Sequence, residues 1–357
     1  MNYYEINKDN FSSTGGKQDK KVLLIKQEVH IRDLLHSCPK SDLIDIAASH
    51  KIKVGGKKKK VQLVKLLAEK IIEENQVKKV FTCFLDQQIE VIEKIIKSQR
   101  ILVPSQEEVA RIVSLFYYGY AYTNIDSEMI IPIEIEQVYE KIDTREFHDR
   151  RKLVSWVLAC LKIAIALHGL TPTYVMLKIL NINEEIKFDE KMLFECFKEI
   201  RGLFPGEYLF CNGYFVPTYL LPKTNYELVL KSQGNQEYYI PTHNEILTYS
   251  FAEHFIENES LHELLQYAMC NMFMSTYEAR SFCMYIQTIV SKGRTITDVI
   301  EIIAEITGKE YLLDDGFDKD NEEVKEVGQM VLRFWKDTRT VLFRGFKPNE
   351  LFATNTI

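Results

Sequence analysis

The apolar positions recur at helical spacing along most of the chain, interrupted by a few short alternating stretches. Between Val29 and Glu74 one face carries Leu43, Ile46 and Ala47, and a second carries Leu63, Val64, Leu66, Leu67 and Ile71. Residues three, four and seven apart share a helix face, so this pattern predicts two short helices. Lys51–Lys60 (KIKVGGKKKK) connects them, with Gly55 and Gly56 breaking the first periodic run. Longer helices are predicted at about 84–98 and 106–118, the second opened by Ser105 and Glu108 at capping-box spacing. Tyr118 to Pro132 then alternates and turns like a short hairpin.

A similar order recurs from Lys152 to Pro217. An apolar helix runs to about His168, Thr171-Pro172 opens a second with proline at its first position, and a third spans about 189–200. YLFC-NG-YFVP follows, and Asn-Gly between two apolar runs is a strong signal for a tight hairpin. Three helices and a two-stranded wing give a winged-helix outline, of which 84–133 reads as a degenerate copy. Residues 224–237 read as a linker or exposed loop. Helical patterns resume at about 244–257, 261–274, 278–291, 296–307 and 322–342, with a solvated acidic loop at 314–323. The expected class is mainly α, a helical multidomain chain with small β-hairpin wings. The expected division is a disordered tail at 1–28, a small helical module at 29–79, a winged-helix-like domain at 80–222 and a helical domain at 223–357.

Composition narrows the class of function. The 357 residues are 46% hydrophobic and 27% charged, with 15 Gly and 9 Pro, which excludes fibrous and wholly disordered chains. No apolar leader precedes Lys21, and Leu153–Leu170, the most apolar long stretch, is interrupted by Lys162 and His168. No membrane role is therefore expected. Seven Cys, an odd set without a close pair, fit a reducing cytoplasm, with Cys160, Cys196 and Cys270 in apolar helical patterns.

Charge is unevenly spread. Residues 1–80 hold 17 Lys+Arg and 10 Asp+Glu, a surplus of 7. With 45 and 51 in the whole chain, the remaining 277 residues carry 28 and 41, or −13. A basic head on an acidic body points to one localised anion-binding surface.

Residues 41–74, with Ile52, Val54, Gly56, Lys60 and Leu63 as apolar-x-apolar-x-Gly, lysine and leucine, resemble the SAP motif and the N-terminal module of transcription termination factor Rho. The loop departs from the usual pattern in its extra lysines. The resemblance implies a helix–loop–helix that holds DNA or RNA through the loop and the start of the second helix. Lys57, Lys58, Lys59 and Lys60 crowd beside a predicted helix start, where N–H groups and the helix dipole already favour anions. Lys51, Lys53 and Lys65 widen the patch. The bland alternative is a solvated loop that keeps a small helical hairpin soluble. The wider ordering of this head, MIIPIEI, YYIPTHNEIL and VLRFWKDTRTVLFRGFKPNELF is similar to uncharacterised proteins of low-GC Gram-positive bacteria or their phages. Many of those end in a SEC-C zinc-binding tail, absent here.

Other chemistry gives near misses. GGKKKK lacks the leading glycine and the Ser/Thr of a phosphate loop. His262-Glu263 is followed by Gln266 where a zincin needs histidine, and His243-Asn-Glu245 has no downstream P-C-x-x-C. Thr242 and Glu245 fit a capping box instead. Asp318-Lys-Asp320 lacks the rest of a calcium loop. The third helix of the winged outline holds Asp189, Glu190, Glu195 and Glu199 against Lys191, Lys198 and Arg201. A net charge of −1 marks that unit as a scaffold or protein-contact module rather than a DNA reader. Arg145, Arg150, Arg151 and Lys152 form the other basic cluster. Tyr117, Tyr118, Tyr120 and Tyr122 fill a seam between helices and hairpin, although such rings also stack bases.

The expectation is a non-enzymatic nucleic-acid-associated protein with no cofactor and no metal. It would bind a DNA or RNA backbone through the lysine loop and a protein partner through its acidic body. The rival expectation is a protein-binding adaptor or inhibitor, for example in bacterial–phage conflict, in which the loop is incidental.

Overall fold

A computed structural model describes residues 29–55, 58–98, 105–123, 128–204, 207–220, 223–252, 258–309 and 322–352. The expected tail at 1–28, Gly56, Lys57 and most of the acidic loop lie outside the described residues. Those that are described form seventeen α-helices and two small antiparallel sheets, of two and three strands. The mainly α class with hairpin wings is what the periodicity called for. Among the described residues, no helix is long and apolar enough to cross a membrane. Backbone contacts divide the chain into two compact units, 1–156 and 157–357.

The first unit begins with α1 (Ile31–Ser37), α2 (Lys40–Ser49) and α3 (Lys60–Lys70), followed by α4 (Glu74–Phe81), α5 (Asp86–Lys97) and α6 (Gln106–Tyr117). The hairpin β1 (Tyr122–Thr123) and β2 (Met129–Ile130), then α7 (Ile133–Ile142) and the start of α8 (Arg145–His168), complete it. The head therefore has three helices and not two. The extra helix α1 has no local cap: its first N–H, on Ile31, donates to Glu134 Oε2 of α7 at 3.0 Å. A cap supplied 103 residues away satisfies an orphan donor that local sequence leaves open. Leu34 and Leu35 of α1, Leu43, Ile46 and Ala47 of α2, and Leu63, Val64 and Leu67 of α3 are buried together. Each buried leucine contributes about 2 kcal/mol, so α3 is held in place by its packing. The expected capping box of α6 is present, with Glu108 N–H on Ser105 Oγ at 3.2 Å and Ser105 N–H on Glu108 Oε2 at 2.8 Å.

The second unit takes the rest of α8, then β3 (Thr171–Pro172), α9 (Thr173–Leu180), α10 (Glu190–Leu203), β4 (Tyr208–Cys211) and β5 (Tyr214–Pro217). The strands lie in the order β3-β5-β4. Thr171-Pro172 is a short strand paired with Tyr214 and Phe215, and does not open the helix as expected. Pro172 serves instead as the N-cap of α9. Asn212 (φ 51°) and Gly213 (φ 83°) give the positive pair of torsions that a type I′ hairpin requires.

Beyond the wing, α11 (Lys223–Gln233) occupies the stretch that reads as a linker. Its anchor is Gln233, whose buried side-chain amide donates to the carbonyls of His168 (2.6 Å) and Val341 (2.7 Å). Then come α12 (His243–Ala252), α13 (Glu259–Asn271), α14 (Thr276–Ser291), α15 (Ile296–Thr307), α16 (Glu322–Asp337) and α17 (Pro348–Phe352). Leu264, Cys283, Ile286, Val290, Val299, Ile303, Val327 and Phe334 form the core of α13–α16.

Thr242 and Glu245 cap α12 reciprocally, as their spacing implies. No disulfide joins any of the seven cysteines; Cys38, Cys83, Cys160, Cys196 and Cys283 are buried, Cys211 is half-buried and Cys270 is exposed. Cys270 thus departs from the buried position that its apolar helix implied. Native protein treated with a thiol reagent is expected to modify Cys270 first and to spare Cys38 and Cys283, whose thiols burial pushes up to about 12. Peptide mass mapping of the alkylated protein checks this.

Candidate nucleic-acid interface

The lysine loop spans the gap between the C-terminus of α2 and the N-terminus of α3. His50 caps α2, and Lys51 follows in the left-handed region at φ 58°. Lys51 N–H donates to Ala48 O at 2.9 Å and Ile52 N–H to Ala47 O at 2.8 Å. This paired bonding is a Schellman turn, whose left-handed position usually takes glycine. A β-carbon there costs about 1 kcal/mol. Replacing Lys51 with Gly is accordingly expected to stabilise the protein by about 1 kcal/mol in urea denaturation, and the loop's present residue trades that stability for a charge.

Beneath the turn, His50 is buried against Tyr118 and Tyr120, with ring centroids 5.4 and 5.3 Å away. Its Nε2 lies 2.9 Å from the Tyr118 carbonyl and donates to it. Ser49 Oγ donates to the Tyr117 carbonyl at 3.0 Å, and Tyr120 hydroxyl to the Ile71 carbonyl at 2.8 Å. Tyr118 and Tyr120 are thus the floor of the loop, Tyr122 is buried as well, and none of the three is a stacking surface; Tyr117 alone of the four is exposed. Burial, with the Lys79 ammonium acting in the same direction, holds His50 below its ordinary pKa and keeps it neutral.

Across the gap, Lys59 is the N-cap of α3 and Lys60 its first residue. Gln62 Oε1 accepts from Lys59 N–H at 3.1 Å, half of a capping box, and no acidic residue stands in the first turn. The helix start thus keeps its positive end without a carboxylate to offset it. Lys51, Lys53, Lys59 and Lys65 are exposed, and Lys58 and Lys60 are half-buried. Ile52 and Val54 are half-buried and Leu63 is fully buried, so the apolar positions of the loop pattern turn inward while the lysines do not.

Three described lysines of the same unit are matched: Lys70 with Glu73 at 2.7 Å, Lys94 with Glu108 at 2.6 Å and Lys97 with Glu93 at 2.8 Å. Among the described residues no carboxylate pairs with Lys53, Lys58, Lys59, Lys60 or Lys65. One further cation belongs to the patch. Lys79, in the last turn of α4, is close enough to help depress Lys51, whose pKa is lowered first by desolvation at the protein surface and then by that charge. It escapes a sequence reading because it enters from another helix, 28 residues further on.

The second basic cluster does not assemble. Arg151 is 2% exposed and serves the interior: its guanidinium donates to the Phe84 carbonyl at 2.8 Å and pairs with Asp86. Arg145 lies beside Asp149 at 3.8 Å. Among the described residues no three His, Cys, Asp or Glu side chains are grouped to hold a metal ion. No family model, curated protein or solved structure matches this chain.

Proposed function

We propose that the protein is a non-enzymatic nucleic-acid-associated protein that captures a DNA or RNA backbone electrostatically through the 51–60 loop. The observation that carries this reading is that, among the described residues, Lys53, Lys58, Lys59, Lys60 and Lys65 pair with no carboxylate and stand around a helix start with no acidic residue in its first turn, whereas Lys70, Lys94 and Lys97 of the same unit are matched. Phosphate oxygens supply what both the ammonium groups and the first-turn N–H groups lack. Because the contacts are to the backbone, sequence preference is weak and salt dependence steep. The helix–loop–helix of α2 and α3 supports the SAP- or Rho-N-like reading of this segment. The winged-helix-like arrangement of α8–β5 takes the scaffold or protein-contact role, since α10 is acidic overall.

The test is a binding titration of the full-length protein against a labelled oligonucleotide, DNA or RNA, over increasing salt. Neutralising three to five phosphates gives a slope of log affinity against log salt of about −3 to −4.5 on duplex. A protein indifferent to both oligonucleotides in dilute buffer would refute the reading and leave the adaptor alternative. The Lys51→Gly variant, more stable by the argument above, is expected to bind more weakly than the natural sequence.

A further inference from the structure

We propose that β4 and α10 form a docking groove for an extended peptide segment, which adds as a fourth strand to the sheet. The segment carries an apolar side chain and, two residues away, a carboxylate. This site is separate from the lysine loop and does not depend on its reading.

The first observation is the edge. In the order β3-β5-β4, β4 is an outer strand among the described residues. The hairpin loop has two residues, so Cys211 and Tyr214 form the hydrogen-bonded pair that closes it. Pairs alternate along an antiparallel ladder, so Phe210↔Phe215 and Tyr208↔Pro217 are the non-bonded ones. Pro217, which has no N–H, fits that assignment. The N–H and carbonyl of Phe210 consequently point away from β5, toward the open edge, where another strand can pair.

The second observation is what lies beside that edge. A groove of about 450 Å³ is lined by Phe194, Phe197, Lys198, Arg201 and Gly202 of α10 and by Phe210 of β4. Its floor is aromatic: Phe194 lies 4.8 Å from Phe210 and 5.8 Å from Phe215, and Phe197 lies 5.0 Å from Phe215, between ring centroids. Phe215 is fully buried, but Phe210 keeps 38% of its surface exposed. Lys198 and Arg201 are exposed cations on the rim, and among the described residues neither has an ion-pair partner.

The overall charge of α10 conceals this face. At about 100° per residue, Phe197, Lys198 and Arg201 fall within about 60° of Phe194, whereas Glu195 and Glu199 lie about 100° and 140° around the helix. Glu190 shares the sector, but precedes Lys198 and Arg201 by about 12 and 16 Å along the axis. The face that meets the wing is therefore apolar with a cationic rim, although the helix sums to −1.

An added strand places residues opposite Phe210 on the same side of the sheet, above α10, and residues two apart are about 6.6 Å apart. Phe194 and Lys198 are about 6 Å apart along the helix. An apolar side chain over Phe194 and Phe210 thus sets a carboxylate two positions along near Lys198 or Arg201. Two cations match one or two carboxylates. A nucleic-acid strand would run on past them to Glu195, Glu199 and Glu207.

The test uses full-length protein and a fluorescein-labelled peptide with Asp-Thr-Phe-Thr-Asp at its centre, flanked by serines. Saturable binding is expected, together with slowed hydrogen exchange of the Phe210 amide. A Lys198→Glu/Arg201→Glu protein with unchanged melting temperature is expected to bind at least about tenfold more weakly. A peptide with Lys in place of both Asp is expected not to bind. The Lys57→Glu/Lys58→Glu/Lys59→Glu/Lys60→Glu variant should bind the peptide like the natural protein, which separates this site from the loop. No saturable binding, equal binding of the lysine peptide, unchanged Phe210 exchange, or displacement by a single-stranded oligonucleotide each overturns the proposal.

Discussion

Changing Lys57, Lys58, Lys59 and Lys60 together to Glu is expected to lower affinity for a nucleic-acid backbone about a thousandfold while leaving the fold as stable as before, or slightly more so. Counterion release makes each neutralised phosphate worth about eightfold near 0.1 M salt, so losing three or four of them multiplies to about three orders of magnitude. The effect on stability has the opposite sign. Lys59 caps α3 and Lys60 begins it, with no acidic residue in the first turn. A carboxylate at that end gains about 0.3–1 kcal/mol from the helix dipole, and a lysine forgoes it. A gel-shift or anisotropy titration at low salt measures the binding, and thermal melting the stability. Retained binding in the variant would assign the loop to solubility and shift the functional weight to the acidic remainder. A variant that loses both binding and melting temperature would show that the half-buried Lys58 and Lys60 hold the α2–α3 turn together.

Much of this site was legible because it is local. Gly55 and Gly56 mark the break, the lysines are contiguous, and Leu63, Val64, Leu67 and Ile71 show where the second helix buries its face. Its support was not legible, because it comes from distant segments. Tyr118 and Tyr120 under His50, Lys79 beside Lys51, and Glu134 capping α1 are tertiary facts without a periodic signature. Ile133-Glu-Ile-Glu136 alternates like a strand, yet belongs to α7, whose buried positions Ile135, Tyr139 and Ile142 appear only over the whole segment. α11 failed as a helix in sequence because its inward anchor is polar: Gln233 sits in the interior by bonding two carbonyls. In α10 the net charge is legible, but the sum conceals a rim of one sign and a flank of the other.

The same buried junction makes the second large prediction, a loss of stability on mild acidification. His168 ends α8 with no exposed surface, and its Nε2 lies 2.9 Å from the Tyr239 carbonyl, to which it donates. Burial, with the Arg344 guanidinium nearby, lowers its pKa from 6.5 to about 4, against a favourable contribution from the Tyr239 carbonyl. The unfolded chain therefore takes up a proton between pH 6.5 and 4 that the folded chain refuses. Stability from this residue is complete above about pH 6.5 and is lost as pH falls toward 4, at up to about 1.4 kcal/mol per unit and about 3 kcal/mol in total. Gly345, at φ 88°, packs where an added β-carbon would lie 3.2 Å from the imidazole, so the junction has no slack in which to hydrate a charged ring. Urea denaturation of the natural protein and of His168→Gln at pH 7 and pH 4.5 isolates the effect from the carboxylates, which titrate in both. The glutamine amide keeps a donor for Tyr239 but binds no proton, so the variant starts less stable at pH 7 and loses about 2–3 kcal/mol less on acidification. Parallel pH profiles for the two proteins would mean that His168 charges in the folded state, and that its burial is relieved by local opening rather than by unfolding.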